Sequence, residues 1–453
     1  MKLSRRKILL GILIGAVGLP LLGIASFIIW RMQLASDVKR QLAAIRSAGL
    51  PTNGAEANNY YPAVPDPENA ALKMASAFEL MTNYNDQRSN KVVSIKFPPH
   101  KAALTPEQLE LLAPYCAMNS NALAAVDDAI ELPHCRYPVD LSWGAGTLLP
   151  HLAGLRSLSR ISAFESLLDP SQSSVAIPRI LGLAHTLDKE PVLISKLVRI
   201  AILSTAVAAL ERRLNTGSIG EAELRHLNEL FAGAAGTNQM VNGLIGERAM
   251  YLQYFRMSWA EINRLADSEG EAGPENSGPP LPGPQPFIFK CSGFFERDLR
   301  FYLDAMDTNI SIAGELPINF STITNVEDQI SRTGRRNYFI LSSMLLPALG
   351  SAIIKEASSL AEVQTAQTAL AVERFRLAHG ELPDNLEALV PQFLSFVPED
   401  PFDGQPLRYH RLAKGYVIYS VGRDGHDNGG RERPANTKSS DKTEYDITFA
   451  VER

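Results

Sequence analysis

The alternation of apolar and polar positions divides the chain into three kinds of stretch. Ile8 to Trp30 is one apolar run without a charge, long enough to cross ~30 Å of hydrocarbon as a helix. From Asp66 to Asp267 apolar residues recur mostly at helical spacing. Near the end the pattern shortens: Leu407–Tyr409 and Tyr416–Ser420 are aromatic and β-branched, with a Lys-Gly pair at 414–415 between them. That predicts a hairpin, and Tyr445–Val451 reads as a last strand.

Local signals place the elements between. Gln33–Leu50 predicts a helix continuing out of the apolar run, and Pro51–Pro65 reads as a polar linker. Asp66-Pro67 predicts an N-cap and first-turn proline opening a helix to about Thr82. Val92–Phe97 reads as a short strand. Thr105-Pro-Glu-Gln108 is a capping box opening a helix to about Ile130, and Ser218-Ile-Gly-Glu221 reads as another. Val192–Leu210 is apolar nearly all round, broken mainly by Lys196 and Arg199, which predicts a central buried helix. Asn238–Asp267 predicts one more long helix. Ser268–Pro286 is crowded with Pro and Gly and reads as a linker. Phe287–Ile312 is helical again. Asn337–His379 predicts a long helical stretch with a kink at Pro347, stopped by Gly380 and Pro383. Asn385–Phe393 reads as a second, short helix.

Charge sets the orientation. Lys2, Arg5, Arg6 and Lys7 precede the apolar run, so the positive-inside rule places the N-terminus in the cytoplasm. Ser4-Arg5-Arg6 also resembles a twin-arginine signal, but the run is long for a cleaved signal and no A-x-A site follows. A signal anchor is therefore expected, with the bulk of the chain outside the cytoplasm. The net charge of −5 is mild and mixed, which gives no nucleic-acid footprint. Mean hydropathy is −0.06, which excludes a polytopic membrane protein.

Three cysteines, Cys116, Cys135 and Cys291, are too few for a disulfide framework; Cys116 and Cys135 could pair, or all three could be buried thiols. No Walker A loop, G-x-G-x-x-G after a strand, G-x-S-x-G or H-E-x-x-H occurs, so no catalytic residue is assigned. His151, His185 and His226 read as capping or partly buried. Ser159, Ser162 and Ser166 read as small packing residues on one helix face. Glu247 is expected to be buried against Arg248 or another arginine.

The most informative stretch is Leu360–Arg453. It holds Ala371-Val-Glu-Arg-Phe-Arg-Leu-Ala-His-Gly380, then Leu386-Glu-Ala-Leu-Val-Pro391, Asp400-Pro-Phe-Asp-Gly-Gln-Pro-Leu-Arg-Tyr409 and Tyr419-Ser-Val-Gly-Arg-Asp-Gly425. This order resembles the C-terminal domain of the major pseudopilin of type II secretion systems. The resemblance implies a long helix plus a small antiparallel sheet, and a calcium ion in the loop after the Tyr-Ser-x-Gly strand. By position it points to Asp424 and Asp427, with Ser420, Asp441 and Asp446, as the metal ligands. Calcium takes six to eight oxygens, several from carboxylates, and these residues supply that chemistry. Met1–Trp30 lacks the pseudopilin leader, its processing Gly-Phe junction and the fifth-position Glu. The tail is therefore expected to be a reused module.

The expected architecture is mainly α with a C-terminal α+β domain. It comprises a tail and transmembrane anchor (1–31), a juxtamembrane helix and linker (32–65), a helical domain (66–267), a Pro/Gly-rich linker (268–286), a helical continuation (287–359) and the pseudopilin-like domain (360–453). The expected role is that of a single-pass inner-membrane protein of non-enzymatic character. Its bulk would be periplasmic, and its tail would bind envelope or secretion-system proteins. The alternative is an extracytoplasmic enzyme with its site in the helical body; a deep cleft there with converging carboxylates and histidine would favour it.

Overall fold

The computed structural model describes residues 5–95, 102, 104–236, 239–257, 293–434 and 445–452, with side chains from Val17 onward and that of 256 excepted. It is mainly helical, with an N-terminal apolar helix and a small three-stranded antiparallel sheet near the C-terminus. The helices are α1 (Arg5–Ser47), α2 (Gly54–Tyr60), α3 (Ala70–Leu80), α4 (Arg88–Ser94), α5 (Pro106–Met118), α6 (Ser120–Ile130), α7 (His151–Leu168), α8 (Ser173–His185), α9 (Leu193–Thr216), α10 (Glu221–Ala234) and α11 (Gln239–Tyr251). After the Pro/Gly-rich stretch come α12 (Phe294–Ala313), α13 (Phe320–Asn337), α14 (Ile340–Leu345) and α15 (Leu349–His379), then β1 (Arg408–Leu412), β2 (Gly415–Ser420) and β3 (Ile447–Glu452).

From Val17 to Trp30 α1 is exposed at every position but Gly18. Leu19, Leu22, Ile24 and Ile29 are all more than half exposed. Its second half turns Leu34, Val38 and Ile45 inward at helical spacing, Val38 and Ile45 into the core that α12 helps to form. Each such residue contributes ~1.5–3 kcal/mol when fully buried. Arg31–Glu296, Arg300–Asp37 and Gln41–Asp304 contacts follow in order along both helices, so α1 and α12 run parallel.

The long helix α15 is the spine. Its first turns bury Leu349, Ile353 and Ala357 in the same core as α12. Its later turns bury Val363, Ala366, Leu370 and Val372 in a second core, shared with α7, α8, α9, α10 and the sheet. Gly380 at φ 79° ends it in the left-handed conformation expected of a helix-stop glycine. β2 pairs antiparallel with β1 and β3, and Tyr416, Ile418, Phe449 and Val451 face the helices. The Tyr416 hydroxyl donates to Glu373 Oε1 on α15 at 3.1 Å.

Several local expectations are corrected. Residues 51–65 are no linker: Asn53 caps α2, Tyr61 is 1% exposed, and the Arg136 guanidinium lies over the Tyr61 ring. Val92 and Val93 lie in α4 rather than a strand. A lone strand there would leave backbone groups unpaired; instead Arg160 donates to the carbonyls of Val92, Val93 and Ile95 at the helix end. The helix opened by the Thr105 capping box forms as expected but breaks at Asn119, whose buried amide bonds Thr82 on both its backbone groups. No capping box forms at Ser218, since Gly220 is the N-cap. Residues 337–379 are not one kinked helix: Tyr338, in a left-handed conformation, ends α13, and Ala348, also left-handed, separates α14 from α15 beside Pro347. Residues 386–389 form only a 3-10 turn. Cys116 and Cys135 are free thiols, and Cys291 lies outside the described residues.

Candidate functional site

Two places gather polar chemistry. The first is the loop after β2. Asp400, 1% exposed, is its organising group. Asp400 Oδ1 accepts from Ser420 Oγ at 2.8 Å and from the Phe402 amide at 2.9 Å. Asp400 Oδ2 accepts from the Val421 amide at 2.8 Å and from Arg408 Nη1 at 2.9 Å. Arg408 also binds Asp403, and its Nε stands 3.9 Å from Asp427 Oδ2. One guanidinium thus sits among three carboxylates, of which Asp427 alone is among the expected metal ligands. Burial would raise Asp403, but the Arg408 hydrogen bond and charge and the Gln405 amide hold it below the usual carboxylate range.

The expected ligands divide accordingly. Ser420 is fully buried and committed to Asp400. Asp427 Oδ1 accepts from the Tyr419 hydroxyl at 3.0 Å and the Gly429 amide at 2.9 Å. Asp446 accepts three backbone amides, those of Asn428, Gly430 and Arg431. Burial nevertheless lifts its pKa above the ordinary value. Asp424 turns back on the His426 amide and the Asn428 side chain at the loop's exposed edge. Asp441 lies outside the described residues. Among the described residues no group of three or more His, Cys, Asp or Glu is arranged to hold a metal ion. Asp400, Asp403 and Arg408 belong to this site too, though as sequence Asp400-Pro401 and Asp403-Gly404 read only as turns.

The second place is a cleft of about 370 Å³ between α8, α10 and the first turns of α9, a size typical of small-molecule sites. Leu181, Leu203 and Leu230 form an apolar wall, and His185, Asp188, Arg199, His226 and Glu229 line the rest. His185 Nδ1 is 2.6 Å from Asp188 Oδ2, and Arg199 Nε donates to Asp188 Oδ1 at 2.6 Å. Arg199 is buried, whereas the imidazole is 68% exposed. The Asp188 hydrogen bond lifts the His185 pKa above its ordinary value. Burial would raise Asp188, but His185 and Arg199 outweigh it and hold the carboxylate below its usual range. A histidine oriented by a carboxylate that is itself fixed by a buried arginine can transfer protons. Lys196, fully buried beneath, donates to the carbonyls of Leu187 and Asp188. The histidines come from separate helices, and no spacing signal in the sequence joins them.

Other assignments resolve simply. Ser159, Ser162 and Ser166 donate to carbonyls of their own helix. The expected pairing of Glu247 with Arg248 is corrected: Arg248 pairs with Asp307, while burial pushes Glu247 up to about 7, against hydrogen bonds to Tyr251 and the Leu193 backbone.

Among the described residues three helices are long and apolar enough to cross a membrane: Val17–Ser47, Leu193–Thr216 and Ile340–His379. Only 6% of the first one's apolar window is buried, against 56% and 50% for the others. No family model matches the chain, and neither a curated protein nor a solved structure does.

Proposed function

We propose that this chain is a single-pass inner-membrane protein, with its N-terminus in the cytoplasm and its helical body outside. The C-terminal helix-plus-sheet unit is its interaction module, resembling a major pseudopilin and serving type II secretion or pilus-like machinery. The observation that carries the anchor is the contrast along α1: exposed Leu19, Leu22, Ile24 and Ile29, then inward Leu34, Val38 and Ile45. Leu193–Thr216 and Ile340–His379 are read as body helices, because the first buries Lys196 and Arg199 with protein partners and both pack in the cores. Phe396, 68% exposed beside the sheet unit, offers the module an apolar contact. A photo-crosslinker at Phe396 in the full chain should capture a secretion-apparatus or pilin-like protein in intact cells. Capture of neither removes the partner assignment.

Calcium at the β2–β3 loop is part of this proposal, with Asp424 and Asp427 as its principal ligands and Ser420, Asp441 and Asp446 as the rest of the set. The second reading, an extracytoplasmic enzyme, is favoured by the cleft with His185, Asp188, His226 and Glu229. Its test is ligand-dependent protection of the His185 ring resonances against a small-molecule library. An unresponsive ring sends the cleft back to a structural role.

A further inference from the structure

The foot of the body carries a second surface suited to lipid. The ion pair Arg31–Glu296, 2.8 Å, sets the level of α12 directly beneath Trp30, the last residue of the apolar run. Asp298, two residues further, holds the start of α14: its carboxylate accepts the amides of Leu341 and Ser342 at 3.0 and 3.2 Å. Arg297 reaches Asn337 at 3.2 Å and lies over the Phe339 ring. At 1.5 Å rise per residue these contacts lie within about one turn of Arg31 along the parallel helices. The α13–α14 elbow is thus fixed at the height where α1 leaves its apolar stretch.

The elbow's side chains are unusual for a solvated corner. Tyr338 is 78% exposed and Met344 63% exposed. Tyr338 occupies the helix-stop position at φ 57°, where glycine or asparagine is ordinarily preferred. A bulky ring is retained there against backbone preference and points away from the core. Arg335 and Arg336, in the last turn of α13, are exposed and make no ion pair among the described residues. Tyrosine and arginine together are the composition of a membrane-interface belt: the ring sits at headgroup depth and the cations meet lipid phosphates.

We propose that the α13–α14 elbow is a second membrane contact, with Tyr338 and Met344 seated in the headgroup region of the bilayer that α1 crosses and Arg335 and Arg336 on its anionic lipids. This rests on α1 being the span. It gives the body a fixed tilt, with two points of attachment instead of one hinge. It also links the membrane to the C-terminal unit, since α13 starts where Phe320 stacks under Arg423 and Ile318 bonds the Pro401 carbonyl.

The test uses the full chain in vesicles containing anionic lipid, with a diazirine side chain placed singly at Ile24, Tyr338 or Phe396. Phe396 is the distant control, because its neighbour Phe393 packs on Phe375, about 39 Å along α15 from Leu349. Lipid adducts are expected at Ile24 and Tyr338 and not at Phe396. Reversal in Arg335→Glu or Arg336→Glu should lower the Tyr338 adduct about five-fold each, leaving Ile24 unchanged. Adducts at Ile24 without any at Tyr338 overturn the second contact and leave the anchor standing. No adduct at Ile24 overturns the anchor itself. Equal Tyr338 adducts in neutral vesicles, with no effect of either reversal, overturn the arginine role.

Discussion

Asn215 on α9 closes the free edge of β3 at Ala450. Its Nδ2 donates to the Ala450 carbonyl at 2.8 Å, while its Oδ1 accepts the Glu452 amide at 2.8 Å. Glu211, one turn earlier, accepts the Ala450 amide at 2.8 Å. A helix of the body thus supplies the hydrogen bonds that a fourth strand would give, so the edge is covered rather than left to pair with another chain. Asn215→Ala leaves two backbone groups unpaired at this junction and should cost ~1–3 kcal/mol in chemical denaturation. Hydrogen exchange should rise at Ala450 and Glu452 first. Unchanged exchange at those amides would mean the contact carries no weight.

Asp400 should matter far more to stability than the carboxylates expected to bind metal. Asp400→Ala leaves three buried donors, the Ser420 hydroxyl and the Phe402 and Val421 amides, without their acceptor and takes one of three carboxylates from Arg408, at a cost of ~2–4 kcal/mol, while Asp427, half exposed, should cost under about 1 kcal/mol. The calcium proposal adds a second expectation. Chelator should lower the full chain's melting temperature, and Asp427→Ala should abolish that effect, since a ligand stabilises by ~RT ln(1+[L]/Kd). Identical melts with and without calcium would leave the loop's charge to Arg408 and its ion pairs and retire the calcium proposal.

Glu247 predicts a slope of stability with pH. Burial raises its pKa from 4.5 to about 7, so the native state holds a proton that the unfolded chain releases. Stability should therefore be greatest below about 4.5 for this group and fall as pH rises to about 7, by up to ~3 kcal/mol. Glu247→Gln should flatten that part of the profile. His185, also raised, contributes its own loss above its unfolded value near 6.5, which His185→Asn removes separately. A profile for Glu247→Gln parallel to the parent would refute the assignment.

Two glycines should respond oppositely to alanine. A Cβ on Gly246 would lie 1.7 Å from the Pro191 carbonyl oxygen, so α11 could not stay against the α8–α9 connection. Gly246→Ala should cost ~3 kcal/mol or more. A Cβ on Gly233 in α10 meets nothing within 4 Å, and Gly233→Ala should stabilise by about 0.5–1 kcal/mol through helix propensity. Thermal melts of the pair check both signs.

What was legible in the sequence was what is decided locally. Thr105 and Gln108 form their reciprocal cap, Gly380 stops α15, and a two-residue turn at 413–414, one residue from the expected Lys-Gly turn, joins two antiparallel strands, because each needs only neighbouring residues. Residues 51–65 look polar, yet Tyr61 is buried because Arg136 and Tyr137, far along the chain, supply its partners. Asp400 looks like half of a turn until β2 brings Ser420 and Val421 to it. The pairing of His185 with Asp188 was within reach as an i,i+3 contact; that His226 lines the same cleft depends on how α8 and α10 pack.

The central claim is that α1 alone crosses the membrane. Alkaline carbonate extraction of membranes carrying the full chain, beside a chain lacking residues 1–30, tests it most directly. The full chain should stay in the pellet, and the shortened chain should be released with its far-UV spectrum and melting temperature kept. A shortened chain that resists extraction would place Leu193–Thr216 or Ile340–His379 in the bilayer and contradict the account.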